Sequence, residues 1–151
     1  MGAYTTMGLM VTLSITAVTV LLCVMLHFEV AIRVSRKLEY AELSLRKRFL
    51  ILMFAMFGAH VAEMGLFTFA IALLLQHPES GVLGGSELVT GVDYIYVSAL
   101  SYTTLGYADI TPEGPMRILT SIEGLLGFML LTWSASLTFL QMQQHWAVGG
   151  E

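Results

Sequence analysis

Apolar residues gather into three long runs separated by short polar segments. The first covers about residues 7–32, through Val11, Leu13, Val18, Val20, Leu21, Leu22 and Leu26; the second covers 49–75 and the third 118–142. Each reaches the roughly 20 residues a helix needs to cross a bilayer, and none contains proline. A fourth apolar and aromatic stretch, from Val92 to Tyr102, is about 11 residues long. That is too short to span, and a segment of this length is either a core helix or a re-entrant piece. Asp93 at its start reads as an N-cap. Before it, His77-Pro78-Glu79-Ser80-Gly81 and Gly84-Gly85-Ser86 read as a polar, turn-forming loop.

Composition agrees with a chain that lives in the bilayer. Of 151 residues, 56% are hydrophobic and 12% charged, against about 25% charged in a soluble domain. The mean hydropathy is +0.77. So few charges cannot cover a water-soluble surface. The single Cys23 lies inside the first run, so no disulfide forms within one chain, and it reads as a small buried hydrophobe.

Charge placement changes the picture more than the net charge of -4 does. Arg33, Arg36, Lys37, Arg46, Lys47 and Arg48 all lie between the first two runs, and Arg117 precedes the third. Short basic loops stay cytoplasmic. This predicts an outside N-terminus, a cytoplasmic 33–48 loop, an external 76–117 segment and a cytoplasmic C-terminus in the cell membrane. The 39–48 stretch, with Leu38, Leu43 and Leu45 among charges, reads either as a helical extension or as a solvated connector. The first run carries no regular arginine ladder, so no voltage sensor of the usual kind is expected.

After the short apolar stretch comes Thr103-Thr104-Leu105-Gly106-Tyr107-Ala108-Asp109, then a Thr111-Pro112 turn, Gly114-Pro115, Arg117 and a third run containing Gly127. The heptad resembles the selectivity-filter signature of potassium channels, usually Thr-Val-Gly-Tyr-Gly-Asp. With its flanks, from about Val92 to Phe139, the chain looks most like the small bacterial two-helix-pore ion channels. The resemblance implies an all-α membrane protein with three transmembrane helices, a re-entrant pore helix and a filter loop, assembled as a homotetramer. It divides the chain into 1–48, an N-terminal helix and basic loop, and a pore domain, 49–151. The pore domain comprises an outer helix (49–75), a pore helix (92–103), a filter (104–109) and an inner helix (118–142).

The implied chemistry is dehydration of a cation by ordered oxygens. Backbone carbonyls of Thr104, Leu105, Gly106 and Tyr107 from each copy would replace the water around K+, with the Thr104 hydroxyl as the innermost ring. Glycine is needed where successive carbonyls face one way, because φ must then alternate in sign. Irregular backbone at this depth is tolerated where it lines a water-filled path, and a pore helix aims its negative C-terminal end at the cation. Asp93, Tyr94, Tyr96 and Thr103 belong to the pore helix, with the Tyr94 and Tyr96 region bracing Tyr107 of a neighbouring copy. Asp109 lies just outside the filter.

The sequence departs from the family at Ala108, where the second filter glycine is usual, and at Leu105, where valine is. A left-handed residue with a Cβ costs roughly 1–2 kcal/mol. Three outcomes follow: a filter that tolerates alanine and conducts K+, a weakly selective cation pore, or a non-conducting regulatory subunit that joins a related channel subunit. Glu79, Glu87, Asp93, Asp109 and Glu113 outnumber Arg117 in the external segment. They read either as an ordinary solvated surface or as a cation-concentrating mouth.

Gly127 falls where related pores bend the inner helix and is the gating-hinge candidate, against simple close packing. Thr132, Ser134, Ser136 and Thr138 face a cavity or hydrogen-bond to their own helix. Glu123 pairs with Arg117 or supports the back of the pore helix. His60 and Glu63, at i and i+3, share one face of the second helix. They read as a hydrogen bond locking helix packing or as a pH-sensitive element, since ionisable groups at this depth pair or face protein. Two ligands at that spacing do not make a metal centre, and His27 is expected nearer the cytoplasmic face, so no metal and no cofactor is expected. No nucleophile arrangement points to an enzyme and nothing beyond the short basic loop to nucleic acid. The expected surroundings are other copies of the chain and membrane lipid.

Overall fold

The computed structural model describes residues 5–85, 90–106 and 109–146. Among them the chain forms four α-helices: α1 (Thr6–Glu39), α2 (Leu45–Leu74), α3 (Gly91–Tyr102) and α4 (Met116–Trp146). Two short strands, β1 (Val82–Gly84) and β2 (Thr111–Glu113), pair antiparallel with Leu83 opposite Pro112. Helices α1, α2 and α4 are long and apolar enough to cross a membrane. The chain is an all-α multi-pass membrane protein.

α1 is built inside out relative to a helix of a soluble protein. Its buried positions are Gly8, Thr12, Thr16, Thr19, Cys23, His27, Ala31 and Leu38, while Met7, Met10, Val18, Leu21, Leu22, Met25 and Phe28 point outward. Between lipid and protein there is no hydrophobic difference to exploit, so small and polar residues take the helix interface and large apolar ones the lipid. The three threonines return their hydroxyls to carbonyls one turn back, on Gly8, Thr12 and Ile15, which leaves no buried donor unpaired.

The helix does not stop at residue 32. It continues through Arg33, Arg36 and Lys37 to Glu39, and α2 begins at Leu45. Arg36 and Lys37 occupy the last turn of α1, where the helix dipole favours cations. The 39–48 stretch is therefore a helix end, a connector of residues 40–44 and a helix start. Arg48 holds the connector by donating to the Ala41 carbonyl at 2.5 Å.

α1 packs along α2, and α3 fits between α2 and α4. The larger core cluster joins Cys23, Phe67, Ile71, Leu74, Val97, Met116, Leu119 and Leu126 with Leu83 and Ile110 of the loop region. A smaller cluster of Ala31, Leu38, Leu52 and Met56 holds the other end of the α1–α2 pair. α3 is thus sealed on one side by the bundle.

The start of α3 differs in detail from the sequence reading. Thr90 is the N-cap and Asp93 is the third helical residue, whose carboxylate accepts from the Thr90 N–H at 2.6 Å and lies 2.9 Å from its hydroxyl. Asp93 therefore closes a capping box instead of capping alone.

Candidate functional site

The C-terminal end of α3 stops at a Schellman turn. Thr104 N–H donates to the Ser101 carbonyl at 3.0 Å and Leu105 N–H to the Leu100 carbonyl at 3.1 Å, the two bonds that define that motif. The motif needs a left-handed residue, and Thr104 supplies it at φ 59. Glycine usually sits there, and threonine costs about 1–2 kcal/mol more in this conformation. Two residues on, Gly106 is again left-handed at φ 86. Thr103, Thr104, Leu105 and Gly106 are all exposed, Leu105 by 77%. Tyr107 and Ala108 lie outside the described residues, so the left-handed positions seen are Thr104 and Gly106.

Asp109 is held from two sides. The Tyr96 hydroxyl of α3 is hydrogen-bonded to its carboxylate, which holds the Tyr96 phenol above its ordinary range. The pairing of β1 with β2 also brings Gly85 against it: a Cβ on Gly85 would lie 1.8 Å from the Asp109 carbonyl oxygen. The loop preceding α3 thus positions Asp109 and the strand that follows it.

Behind α3 the arrangement is reversed, with polar groups fully enclosed. Glu63 is 0% exposed, His27 1% and Tyr102 1%. His27 Nδ1 lies 2.8 Å from Glu63 Oε1, and His60 Nδ1 lies 3.2 Å from Glu63 Oε2 and 2.9 Å from the Tyr102 hydroxyl. Tyr102 donates to Glu63. Both second ring nitrogens turn to one group, Ser134 Oγ, at 3.0 Å from His60 and 3.3 Å from His27. The His27 ring also rests on Trp133, with centroids 5.1 Å apart.

This corrects the placement of His27. The expected site near the cytoplasmic face followed from ending the first helix at residue 32. The contact of His27 Nδ1 with Glu63 Oε1 instead puts His27 level with Glu63 in the bundle. The His60–Glu63 hydrogen bond expected from sequence is present, and His27, Tyr102 and Ser134 join it. Tyr102 carries no sequence signal for that role, since an aromatic at the end of an apolar stretch reads as packing.

Glu123 sits one layer away on α4. Its Oε1 is 2.5 Å from Ser98 Oγ, so of its two expected roles it supports the back of α3. Among the α4 hydroxyls, Thr132, Ser136 and Thr138 bond to carbonyls of their own helix, while Ser134 turns to the histidines. α4 is continuous through Gly127. A Cβ there would lie 2.1 Å from the Tyr102 carbonyl oxygen, so close packing of α4 on the end of α3 already requires glycine.

Residues 49–144 match the family model described as "Ion channel". No curated protein and no solved structure matches the chain. The matched region takes in α2 after its first turn, all of α3 and almost all of α4, and leaves α1 outside.

Proposed function

The chain belongs to the ion channel family, and from that premise we propose that it is the subunit of a potassium-selective channel in the cell membrane, with residues 104–109 as the filter. The observation that carries this reading is the contrast at the end of α3. A helix terminus, negative by its dipole, delivers an exposed and irregular backbone at Thr104–Gly106, whereas every side chain behind it is sealed. Exposed irregular backbone at membrane depth is tolerable where it lines water, and copies of the chain around an axis would provide such a path.

Four copies would aim the carbonyls of Thr104, Leu105, Gly106 and Tyr107 at K+, the permeant ion, with Asp109 at the mouth. The basic residues at the α1–α2 turn favour a cytoplasmic location for that end, which puts the N-terminus and Asp109 outside and the C-terminus inside. Gly127 is the hinge candidate of the inner helix, and any bend there must also release its contact with Tyr102.

The test is ion flux from purified protein in liposomes under potassium and sodium gradients, for the native chain and Ala108→Gly. Potassium-selective flux from the native chain is expected. Flux that appears only in Ala108→Gly would favour the regulatory-subunit reading, which rests on Ala108 alone, and silence from both variants would sink the proposal of an autonomous channel.

A further inference from the structure

The cluster of His27, His60, Glu63, Tyr102 and Ser134 has a hydrogen-bond count that does not close. Each neutral imidazole brings one proton, as do the serine and tyrosine hydroxyls, and an ionised Glu63 brings none. With both rings neutral, the cluster holds two protons fewer than it has donor–acceptor contacts. If both rings carry the proton on Nδ1, two bare Nε2 atoms face the one hydroxyl proton of Ser134. If both carry it on Nε2, the Ser134 oxygen accepts from the two rings with its two lone pairs. Both Nδ1 lone pairs then point at a carboxylate, in a site that burial closes off from solvent. The second arrangement turns two nitrogen lone pairs and a carboxylate to one point, and positive charge matches that point, either as a further ring proton or as a metal ion.

We propose that His27, His60 and Glu63 form a binding site for a first-row divalent transition metal of the zinc type, with the Tyr102 oxygen as fourth donor. The three groups each offer a ligand atom within 4.8 Å of the others. The contacts of 2.8 and 3.2 Å lie below the spacing of about 3.3 Å that donors take around a tetrahedral metal bound at roughly 2.0–2.1 Å, so the donors need only move apart slightly to admit one. Imidazole nitrogens with carboxylate oxygen suit zinc and its neighbours better than magnesium or calcium, which want all-oxygen shells. Charge also balances. A divalent ion with the Glu63 carboxylate and a Tyr102 phenolate is neutral, as a site enclosed in a helix bundle requires, and the phenol proton is released on binding. Ser134 becomes the outer group that fixes both rings with Nδ1 toward the metal.

The site would join three helices through one ion: α1 by His27, α2 by His60 and Glu63, and the end of α3 by Tyr102. It gives α1, which lies outside the family match, a chemical reason to be there. It also places the ion directly behind the exposed residues that follow Tyr102. The site does not depend on what those residues conduct.

The full chain is purified in detergent from cells grown with added zinc or added cobalt, and its metal content is measured by elemental analysis. Stoichiometric metal is expected, and the cobalt form should show the intense visible bands of a four-coordinate centre. His27→Gln and Glu63→Gln should bring the metal to background while helical circular dichroism is retained. Ser134→Ala, which removes the outer group, should weaken binding roughly 10–100-fold. His27→Cys keeps a ligand at that position and should add a thiolate-to-cobalt charge-transfer band in the near ultraviolet. That gain of signal reports the site even where the glutamine variants fold poorly. A native chain free of metal from both growths overturns the proposal, leaving protons alone to hold the cluster. So does stoichiometric metal that survives in His27→Gln, or cobalt in His27→Cys without the thiolate band.

Discussion

The two sides of α3 solve opposite problems with similar atoms. On the front, Thr103 to Gly106 are all exposed. On the back, His27 and Tyr102 are enclosed around Glu63, and Glu123, one layer away, is enclosed against Ser98. A short helix in a membrane has few apolar contacts of its own to fix its tilt. The back supplies the fixing through directional bonds that reach α1, α2 and α4, and this leaves the front free to be shaped by function. Substitutions behind α3 should therefore act on stability, and substitutions in front should act on ion flux.

Glu63→Leu should have the largest effect on stability. It leaves the polar atoms of His27, His60 and Tyr102 facing a hydrocarbon side chain, and breaking a buried pair in this way costs about 3–5 kcal/mol. Unfolding in detergent followed by circular dichroism would measure it. An effect below that of an ordinary core truncation would mean that the back of α3 is not what holds it.

Gly127→Ala comes next. The new Cβ would meet the Tyr102 backbone oxygen at 2.1 Å, so α4 must move off the end of α3, at a cost of about 1–3 kcal/mol. Gly65→Ala serves as its contrast, because a Cβ there meets no atom within 4 Å, and replacing a mid-helix glycine gains up to about 1 kcal/mol. The two substitutions should thus shift the melting temperature in opposite directions. In flux experiments, Gly127→Ala should also reduce conduction, because it displaces the terminus from which Thr104 and Leu105 depart. A loss of flux with unchanged stability would instead favour a pure hinge.

A smaller change tests the other end of the same helix. Thr90→Ala removes the hydroxyl of the capping box with Asp93, for about 1 kcal/mol. The loss should appear as faster amide exchange over the first turn of α3 while the cluster at Tyr102 stays protected.

Much of this division was legible in the sequence, and what was missed had particular causes. The three spans, the short helix and the His60–Glu63 contact follow from hydropathy and from i, i+3 spacing. Thr90 and Asp93 stand three apart, the spacing of a capping box, so the cap was readable and was assigned one turn too late. His27 was misplaced because the depth at which α1 packs along α2, which brings it to Glu63, is not written in either apolar run; the ends of those runs are no guide to it. A hydropathy boundary marks where lipid ends, and a helix boundary marks where backbone bonding ends; for α1 these differ by about two turns. Tyr102 and Ser134 could not be assigned to Glu63 from sequence, since they come from helices whose packing angle and depth no local pattern encodes. The tight approach at Gly127 was open for the same reason, being a property of Tyr102 as much as of the glycine.

Thr104→Gly should have the smallest effect on stability and one of the clearest on selectivity. Thr104 holds the left-handed position of the Schellman turn at φ 59, where glycine carries no Cβ penalty. Part of the roughly 1–2 kcal/mol of strain is returned, and the greater freedom of glycine in the unfolded chain offsets some of it. A net rise under about 1 kcal/mol is expected, read as a slightly higher melting temperature. The same substitution deletes the hydroxyl proposed as the innermost ring of the filter. Potassium over sodium selectivity in liposomes should fall while total cation flux persists. If selectivity is unchanged and only the melting temperature rises, Thr104 is a helix stop and no more, and the conducting oxygens begin beyond it.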